Sequence, residues 1–200
     1  MQVSAIKFPY TTSVVNKSQF DAHITLYEGY VTMTNLTDKT LATQPELQTA
    51  SPSGGHYRGW KKTETYAING IILHEMYFQN LGNCKTAPGK NMQAIFDKYF
   101  GGFEKWKADF VACATSARGW CILVYEQRTG TCRNILLDLH DEGHIAGAFP
   151  IMVLDMYEHA YFMEYGTNKA AYINKFIDNY PWELAEQRAD IVGAKFQHAL

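Results

Sequence analysis

The amino-acid sequence predicts an α+β protein with an N-terminal α-helical hairpin lobe and a C-terminal lobe that holds a three-stranded antiparallel sheet flanked by helices. Two long stretches with helical periodicity come first, at Ser18–Asn35 and Lys62–Leu81. Three apolar stretches rich in β-forming residues follow, and a turn sequence, Arg128-Thr-Gly-Thr, separates the first two. Helices on both sides of a short run of strands are typical of the α+β class.

The N-terminal lobe rests on the first two helical stretches. Ser18 can cap the first stretch, in which apolar and aromatic residues recur three and four positions apart around a histidine. This face consists of Phe20, His23, Ile24, Tyr27, Tyr30 and Val31. The polar segment Thr37–Gly55 ends in Ser-Pro-Ser-Gly-Gly and predicts a loop with room for helical turns. Two long helices joined by a loop predict an antiparallel hairpin.

The C-terminal lobe begins after a Gly- and Pro-containing segment at 81–89, which is the predicted linker. The predicted domains are therefore residues 1–86, an α-hairpin domain, and residues 87–200, an α/β domain. Helical patterns in the second domain cover Lys90–Tyr99, Phe103–Ala114, Tyr157–Tyr165, Ala170–Tyr180 and Trp182–Lys195, and strand patterns cover Gly119–Glu126, Asn134–Leu139 and Phe149–Asp155.

Composition narrows the classes of partner. The formal net charge of −2 gives no general attraction to nucleic acid or to an anionic membrane, so an anionic substrate would need a local basic patch. No stretch approaches the length of an apolar membrane span, and the first residues lack a signal-peptide pattern. We expect a cytoplasmic protein whose cysteines are reduced. These cysteines are Cys84, Cys113, Cys121 and Cys132.

The densest chemical feature is Asp155-Met-Tyr-Glu-His159, where a strand pattern runs into a helical one. A carboxylate and an imidazole placed there can converge on one cation, although an ordinary Asp–His hydrogen bond would explain the pair as well. His23 and His74 lie on the apolar faces of the two N-terminal helices. A lone histidine on such a face is usually a hydrogen-bonded core residue. Three imidazoles and a carboxylate together favour a shared Fe, Mn or Zn ion.

Several ordered segments resemble one known family, the iron/manganese superoxide dismutases. DMYEHAYF at 155–162 is similar to that family's DVWEHAYY, and FGGFEKWKADF at 100–110 is similar to FGSFEKFKEEF. RGWCILV at 118–124 resembles GWAWLV, and YGTNKAAY at 165–172 resembles YKNVRPDY. ILHEMYFQNL at 72–81 resembles the helix of the second histidine ligand, and FPY at 8–10 and NYPW at 179–182 also match. Residues 36–65 show no clear correspondence.

The resemblance implies that one Fe or Mn ion per subunit disproportionates superoxide anion to dioxygen and hydrogen peroxide. The implied metal ligands are His23, His74, Asp155 and His159. Tyr30 would be the gateway tyrosine, and His140 the outer-sphere donor that some members have in place of Gln. A different subgroup supplies that Gln from the position of Gly70. Lys169 matches a funnel arginine that attracts the substrate, although a solvated helix lysine is an equally good interpretation.

Departures from the family pattern lead to further expectations. The spacing from His23 to Tyr30 is one residue shorter than in relatives, which predicts a regular helix where they have a π-bulge and leaves Tyr27 as the alternative gateway. Aromatic residues still form the predicted active-site cage. These are Trp120, Tyr77, Phe78 and Tyr157. Glu158 would link two subunits, so we expect a homodimer or a dimer-based tetramer. Phe162 has no hydroxyl, so it cannot make the hydrogen bond to the partner subunit that the family's tyrosine at this position makes.

Two other functions compete with dismutation. A non-haem iron oxygenase-type enzyme needs only two histidines and a carboxylate. A metal-binding stress-response protein with the dismutase fold and little turnover would also retain all four ligands. The remaining histidines, His56, His144 and His198, are expected on the surface.

Overall fold

The computed structural model describes residues 2–43, 50–83 and 85–195, which form helices around one three-stranded sheet. The helices are α1 (Lys17–Thr43), α2 (His56–Asn80), α3 (Lys90–Phe100), α4 (Phe103–Ser116), α5 (Glu158–Tyr165), α6 (Lys169–Asp178) and α7 (Trp182–Lys195). The strands are β1 (Trp120–Glu126), β2 (Thr131–Leu137) and β3 (Ala148–Asp155). The predicted α+β class, with a helical hairpin first and an antiparallel sheet later, is confirmed.

Helix α1 is longer than predicted, so the predicted loop Thr37–Gly55 is wrong for residues 37–43. The inward positions of this extension are the buried threonines Thr37 and Thr40. The Thr37 hydroxyl donates to the Met33 carbonyl oxygen at 2.8 Å, which satisfies it inside the helix. Threonine methyl groups thus replace the apolar side chains that a periodicity search looks for. Residues 44–49 of the predicted loop lie outside the described residues.

The starts of both hairpin helices also differ from the prediction. Asn16, rather than Ser18, caps α1, because its Oδ1 accepts the Gln19 N–H at 2.9 Å. Helix α2 begins at His56 instead of Lys62, directly after Gly55 at φ 96°. No side chain caps this helix end, and its first turn is polar, so no capping or periodicity signal marks it in the sequence.

The sheet has the strand order β2–β1–β3, and both pairs are antiparallel. Its central strand β1 is almost wholly buried. A register shift in the β1–β3 pair, where Leu123 opposes Met152 and Val124 opposes Pro150, leaves Ile151 as a bulge. Pro150 has no N–H to donate, and β3 is an edge strand, where proline is tolerated. The Arg188 guanidinium donates to the Ile151 carbonyl oxygen at 2.7 Å, so the bulge stays hydrogen-bonded.

The two predicted lobes meet along one continuous core, which is where the candidate site lies. Helix α2 packs against β3, and α1 packs against α5. The Ser13 hydroxyl also donates to the Asn179 side-chain oxygen at 3.0 Å across the two lobes. In the described part of the chain, no helix is both long and apolar enough to cross a membrane.

Three of the four cysteines lie in the described residues and are free thiols: Cys113, Cys121 and Cys132. Cys121 is fully buried, and its Sγ lies 3.7 Å from the Phe110 carbonyl oxygen. The prediction for Cys84 falls outside the described residues.

Candidate metal centre

Four side chains from four elements converge on one point beneath the hairpin. They are His23 of α1, His74 of α2, Asp155 at the end of β3 and His159 in the first turn of α5, and their candidate ligand atoms all lie within 4.8 Å of one another. From Asp155 Oδ2, the distances to the Nε2 atoms of His23, His159 and His74 are 3.2, 3.3 and 3.6 Å. The structure therefore brings together the four residues predicted as ligands.

Local structure fixes the direction of the Asp155 carboxylate. Asp155 is the last residue of β3, and its Oδ1 accepts the Tyr157 N–H at 2.9 Å in a turn that leads into α5. This bond leaves Oδ2 to face the histidines. The Met156 N–H donates to the Gly119 carbonyl oxygen at 2.7 Å, which ties the turn to the sheet.

Hydrogen bonding determines which nitrogen of His74 carries the proton. Its Nδ1 lies 2.6 Å from the Gly70 carbonyl oxygen, which can only accept, so Nδ1 is the protonated nitrogen. The Nε2 lone pair therefore points at the carboxylate. Burial lowers the pKa of His74 to about 3 and also lowers the pKa of His23, so both imidazoles are neutral at neutral pH.

A bound cation explains the cluster better than hydrogen bonds among its own residues do. His23 Nε2 and His74 Nε2 are buried and have no hydrogen-bond partner in the described residues. Two unprotonated nitrogens aimed at an ionised carboxylate would repel it and leave polar atoms unsatisfied. A cation between them satisfies all of these atoms at once. Three imidazoles and one carboxylate are a ligand set for Fe, Mn or Zn, so the residues present fit the ion that the sequence predicts.

The charge state of Asp155 agrees with this interpretation. Burial by itself would raise the pKa of Asp155, but attraction and hydrogen bonding to His159 outweigh it and hold that pKa well below its ordinary value. The carboxylate is therefore ionised and supplies the single negative charge of the cluster.

Aromatic rings enclose the cluster, and the four predicted cage residues are among them. Trp120 pairs with Asp155 across β1 and β3, and its ring centroid lies 5.0 Å from that of His74. Tyr77 and Phe78 each lie 5.1 Å from His23, and Tyr157 stacks on His159 at 5.1 Å. These four rings therefore pack directly against the histidines of the cluster.

His140 and Tyr30 form a hydrogen-bonded pair beside the cluster. The Trp120 indole N–H donates to His140 Nδ1 at 2.9 Å, and His140 Nε2 lies 2.7 Å from the Tyr30 hydroxyl. Because the indole can only donate, Nδ1 is an acceptor and the neutral ring carries its proton on Nε2. Burial lowers the pKa of His140 to about 4, which keeps the ring neutral. His140 thus donates to Tyr30.

The hydroxyl of Tyr27, the alternative gateway, is already hydrogen-bonded to two other groups. Its hydroxyl donates to the Glu75 carboxylate at 2.7 Å and accepts the Ile6 N–H at 2.9 Å. Helix α1 is a regular α-helix from Lys17 to Thr43, as the shortened spacing predicts. His23 and Tyr30 therefore stand two turns apart on the same face, and Tyr30 is the tyrosine that reaches His140.

The remaining predicted residues lie at the margins. Lys169 begins α6, and its ammonium donates to the Ala117 carbonyl oxygen at 3.4 Å. Glu158 is exposed on α5 next to His159. The histidines His56 and His144 are exposed as predicted, and His198 lies outside the described residues.

One side of the cluster is open. The His159 side chain is 34% exposed, and next to it a cavity of about 420 Å³ is bordered by apolar side chains. Phe162 and Met163 border this cavity and are 49% and 60% exposed.

Three further residues support the site, and the sequence patterns do not predict their roles. Gln19 is buried, and its amide donates to the His159 carbonyl oxygen while its Oε1 accepts the Met163 N–H at 3.1 Å. The Tyr172 hydroxyl donates to the Asp155 carbonyl oxygen at 3.0 Å. Tyr66 lies against His140 with ring centroids 4.4 Å apart. Helical spacing was a usable signal only for Tyr66, which lies two turns before His74 on α2.

Three imidazoles and one carboxylate around a single point, inside a helical hairpin joined to an antiparallel sheet, define a mononuclear metal-binding protein. The family description "iron/manganese superoxide dismutases, C-terminal domain" matches residues 88–188. An iron superoxide dismutase of Cupriavidus metallidurans is 36% identical over 181 residues, 88% of this chain and 89% of that relative. A manganese superoxide dismutase of Halobacterium salinarum is 31% identical over 178 residues, 88% of this chain and 86% of that relative. The chain belongs to the iron/manganese superoxide dismutase family.

Proposed function

We propose that this protein is a superoxide dismutase that binds one Fe or Mn ion through His23, His74, Asp155 and His159. The observation that supports this most directly is the pair of buried, unpartnered imidazole nitrogens that face an ionised carboxylate. Because the chain belongs to the iron/manganese superoxide dismutase family, superoxide dismutation is the activity proposed for this site. Two superoxide anions and two protons would yield one dioxygen and one hydrogen peroxide.

The ligands and the aromatic residues of the site have different roles. A bound iron or manganese ion would supply the one-electron exchange that both half-reactions need. The three imidazoles supply uncharged ligand nitrogens when they bind the ion, and the one carboxylate supplies a single negative charge, which suits an ion that changes its charge by one. Trp120, Tyr77 and Phe78 keep bulk water away from this charge.

Protons for the peroxide product would come through Tyr30. His140 donates its only N–H to the Tyr30 oxygen, so the Tyr30 O–H remains available to donate to an anion bound at the site. The Trp120 indole keeps His140 in this tautomer. Burial raises the pKa of Tyr30, so the hydroxyl keeps its proton until a basic product anion arrives.

Lys169 is the proposed steering residue for the substrate anion. Its ammonium lies against the Ala117 carbonyl oxygen, three residues before the cage residue Trp120, and adds a cation there in a chain whose net charge is −2. Lys169→Gln should lower the association rate of superoxide at low ionic strength and have little effect at high salt. Equal rates at every salt concentration would assign Lys169 to the solvated surface instead.

A homodimer, or a tetramer built from such dimers, is the proposed assembly. Support comes from the exposed Phe162 and Met163 around the cavity beside His159, with Glu158 at its border. A second copy seated there would cover both apolar side chains and close the open side of the site. Sedimentation of the metal-loaded protein as a monomer at micromolar concentration would argue against it.

The proposed domain division is 1–86 and 87–200. The segment between α2 and α3 supports it, as does the start of the matched family region at residue 88. Limited proteolysis should cut first in this segment; a first cut within α4 or the sheet would count against the division.

We also propose a cytoplasmic location, which the free thiols Cys113, Cys121 and Cys132 support. Fractionation of native cells tests it, and recovery outside the cytoplasm would refute it.

Metal analysis combined with a superoxide-consumption assay tests the main proposal. The protein should bind one Fe or Mn ion per chain and consume superoxide catalytically after loading with at least one of these ions. Metal binding without turnover would instead indicate a metal-binding stress-response protein. Oxygenase activity with an organic substrate would indicate the non-haem iron class, which the fourth protein ligand argues against.

A further inference from the structure

The outer edge of β3 is hydrogen-bonded by side chains instead of by another strand. Strand β3 ends the order β2–β1–β3, so this edge has no neighbouring strand among the described residues. Carbonyl groups alternate between the two edges of a strand. The carbonyl oxygens of Ile151, Val153 and Asp155 therefore lie on one edge, and each accepts a hydrogen bond from a side chain. The last of the three belongs to a proposed metal ligand.

Three helices supply the donors to this edge. The Asn80 amide, at the end of α2, donates to the Val153 carbonyl oxygen at 2.8 Å. The Tyr172 hydroxyl of α6 donates to the carbonyl oxygen two residues further along, at 3.0 Å. The Arg188 guanidinium of α7 donates to the Ile151 carbonyl oxygen at 2.7 Å. These bonds take the place of a fourth strand along the segment that leads to the metal cluster.

Arg188 is the buried cation of this group. Its guanidinium also donates to the side-chain oxygens of Asn80 at 3.0 Å and of Gln79 at 2.8 Å. All three acceptors are uncharged, and no carboxylate pairs with Arg188 in the part of the chain that the structure describes. A buried cation is costly unless its donors are hydrogen-bonded. Bonds from a charged donor are also stronger than neutral ones, so Arg188 is the firmest of the three attachments.

Arg188 binds β3 at its bulge. Ile151 is the extra residue there, and Pro150 before it has no N–H to donate. If the bulge moved by one residue, the side chains that follow would turn to the opposite face of the sheet, and Asp155 is among them. The Tyr180 hydroxyl reaches the Ile151 carbonyl oxygen only at 3.4 Å. The shorter bond from Arg188 therefore does most to fix the position of the bulge.

We propose that Arg188 is a positioning residue for the metal centre, which fixes the bulge of β3 and thereby the place of the Asp155 carboxylate among the histidines. Arg188 itself contacts neither the ion nor the substrate. Ligand distances in a metal site hold to about 0.2 Å, so even a small shift of β3 would weaken the binding of an ion. This inference rests on the metal site of the proposed function.

Arg188→Ala and Glu186→Ala, compared in the full chain, test the proposal. Glu186 is the matched control on α7, because its carboxylate accepts the backbone N–H groups of Asn91 and Met92 at 2.9 and 2.8 Å and holds α3 rather than β3. Cobalt(II) is the probe, since its visible absorption bands report the geometry of its ligands. Arg188→Ala should raise the cobalt dissociation constant about tenfold or more and shift these bands. Glu186→Ala should change neither.

Denaturant unfolding of both variants separates positioning from stability. Equal loss of cobalt affinity in both, or a less stable Arg188→Ala with unaltered affinity and bands, would show that Arg188 merely stabilises the fold and overturn the proposal. If Arg188→Ala does not fold, Arg188→Lys decides. It keeps the charge but not the planar fork that serves three oxygens, so it should show a smaller shift of the bands, and unaltered bands and affinity would refute the proposal.

The cobalt measurements do not depend on turnover. If the unaltered protein binds cobalt but consumes no superoxide after loading with iron or manganese, the proposed dismutase function fails. The comparison of Arg188→Ala with Glu186→Ala still decides whether Arg188 positions the carboxylate.

Discussion

The inner and outer sides of the metal cluster are built differently. On the inner side, both ring nitrogens of His140 are paired, since Trp120 donates to one and Tyr30 accepts from the other. On the outer side, His159 is 34% exposed, and its ring has Asp155 at 3.3 Å as its neighbour for hydrogen bonding. Apolar Phe162, rather than a polar partner, stands next to it.

This difference separates two tasks. The inner side sets protonation and orientation through directional bonds, so single-atom changes there should alter rate without releasing the ion. The outer side supplies the proposed ligand His159 but leaves about a third of its side chain exposed, so its integrity should depend on what packs against the exposed apolar residues. Variants on each side can test this separation.

The largest effect is expected at the outer ligand. His159→Ala removes one of four ligands and should abolish both metal retention and superoxide consumption. Metal content by elemental analysis and activity of the same sample are the measurements. His56→Ala, at an exposed histidine at the start of α2, is the control and should change neither. Full metal occupancy in His159→Ala would remove this residue from the ligand set.

The inner side should respond in the opposite way. His140→Ala should keep the ion and lower kcat about 10- to 100-fold, as outer-shell partners of metal sites typically do. His140→Gln should retain more of the rate, because its amide can accept from Trp120 and donate to Tyr30. Steady-state kinetics with metal analysis measure this. If His140→Ala were as active as the unaltered protein, the inner bonds would have no part in turnover.

Assembly should depend on the outer side alone. Phe162→Asp places a charge in the proposed contact and should weaken the dimer about 30-fold or more, as loss of a central aromatic contact does. Analytical ultracentrifugation over a concentration series measures the change. Ile72→Asp, at an exposed position on α2, is the control outside that surface. Dimers of unaltered affinity in Phe162→Asp would place the interface elsewhere.

The smallest effect is expected where the inner side meets the hairpin. Gly70→Ala puts a methyl group 2.9 Å from the Tyr30 ring, and overpacking of this kind costs about 1–3 kcal/mol. The free energy of unfolding should fall by about that amount, and kcat should fall several-fold because Tyr30 moves away from His140. Denaturant unfolding and kinetics measure both. Gly59→Ala, with open space at its Cβ, should show neither effect.

Sequence predicts this protein unevenly, and the reasons are physical. Strands β1 and β3 are continuous apolar runs because both faces of the sheet are covered, so they were easy to find. The extension of α1 was missed because Thr37 and Thr40 are buried through their methyl groups. The residue at which a helix begins depends on its capping residue, and Asn16 caps α1.

The sequence also predicts the residues of the candidate site unevenly. Ligands carry rare chemistry in a fixed order, so Asp155 and His159 stand out in the sequence. Gln19 and Tyr172 act through bonds to backbone carbonyl oxygens of the ligands, and such bonds depend on tertiary contacts between distant elements. Their residue types are common, and nothing in their sequence neighbourhood marks the role.

The contact between Gly70 and Tyr30 also limits how this chain can evolve. The family resemblance implies two alternative positions for the outer-sphere group, and here the one on α2 is closed by the aromatic ring that rests on it. A side chain acquired at 70 would be harmful unless Tyr30 shifted and His140 were replaced in the same lineage. Substitutions at these three positions are therefore epistatic, and a change from one arrangement to the other has to pass through an impaired intermediate.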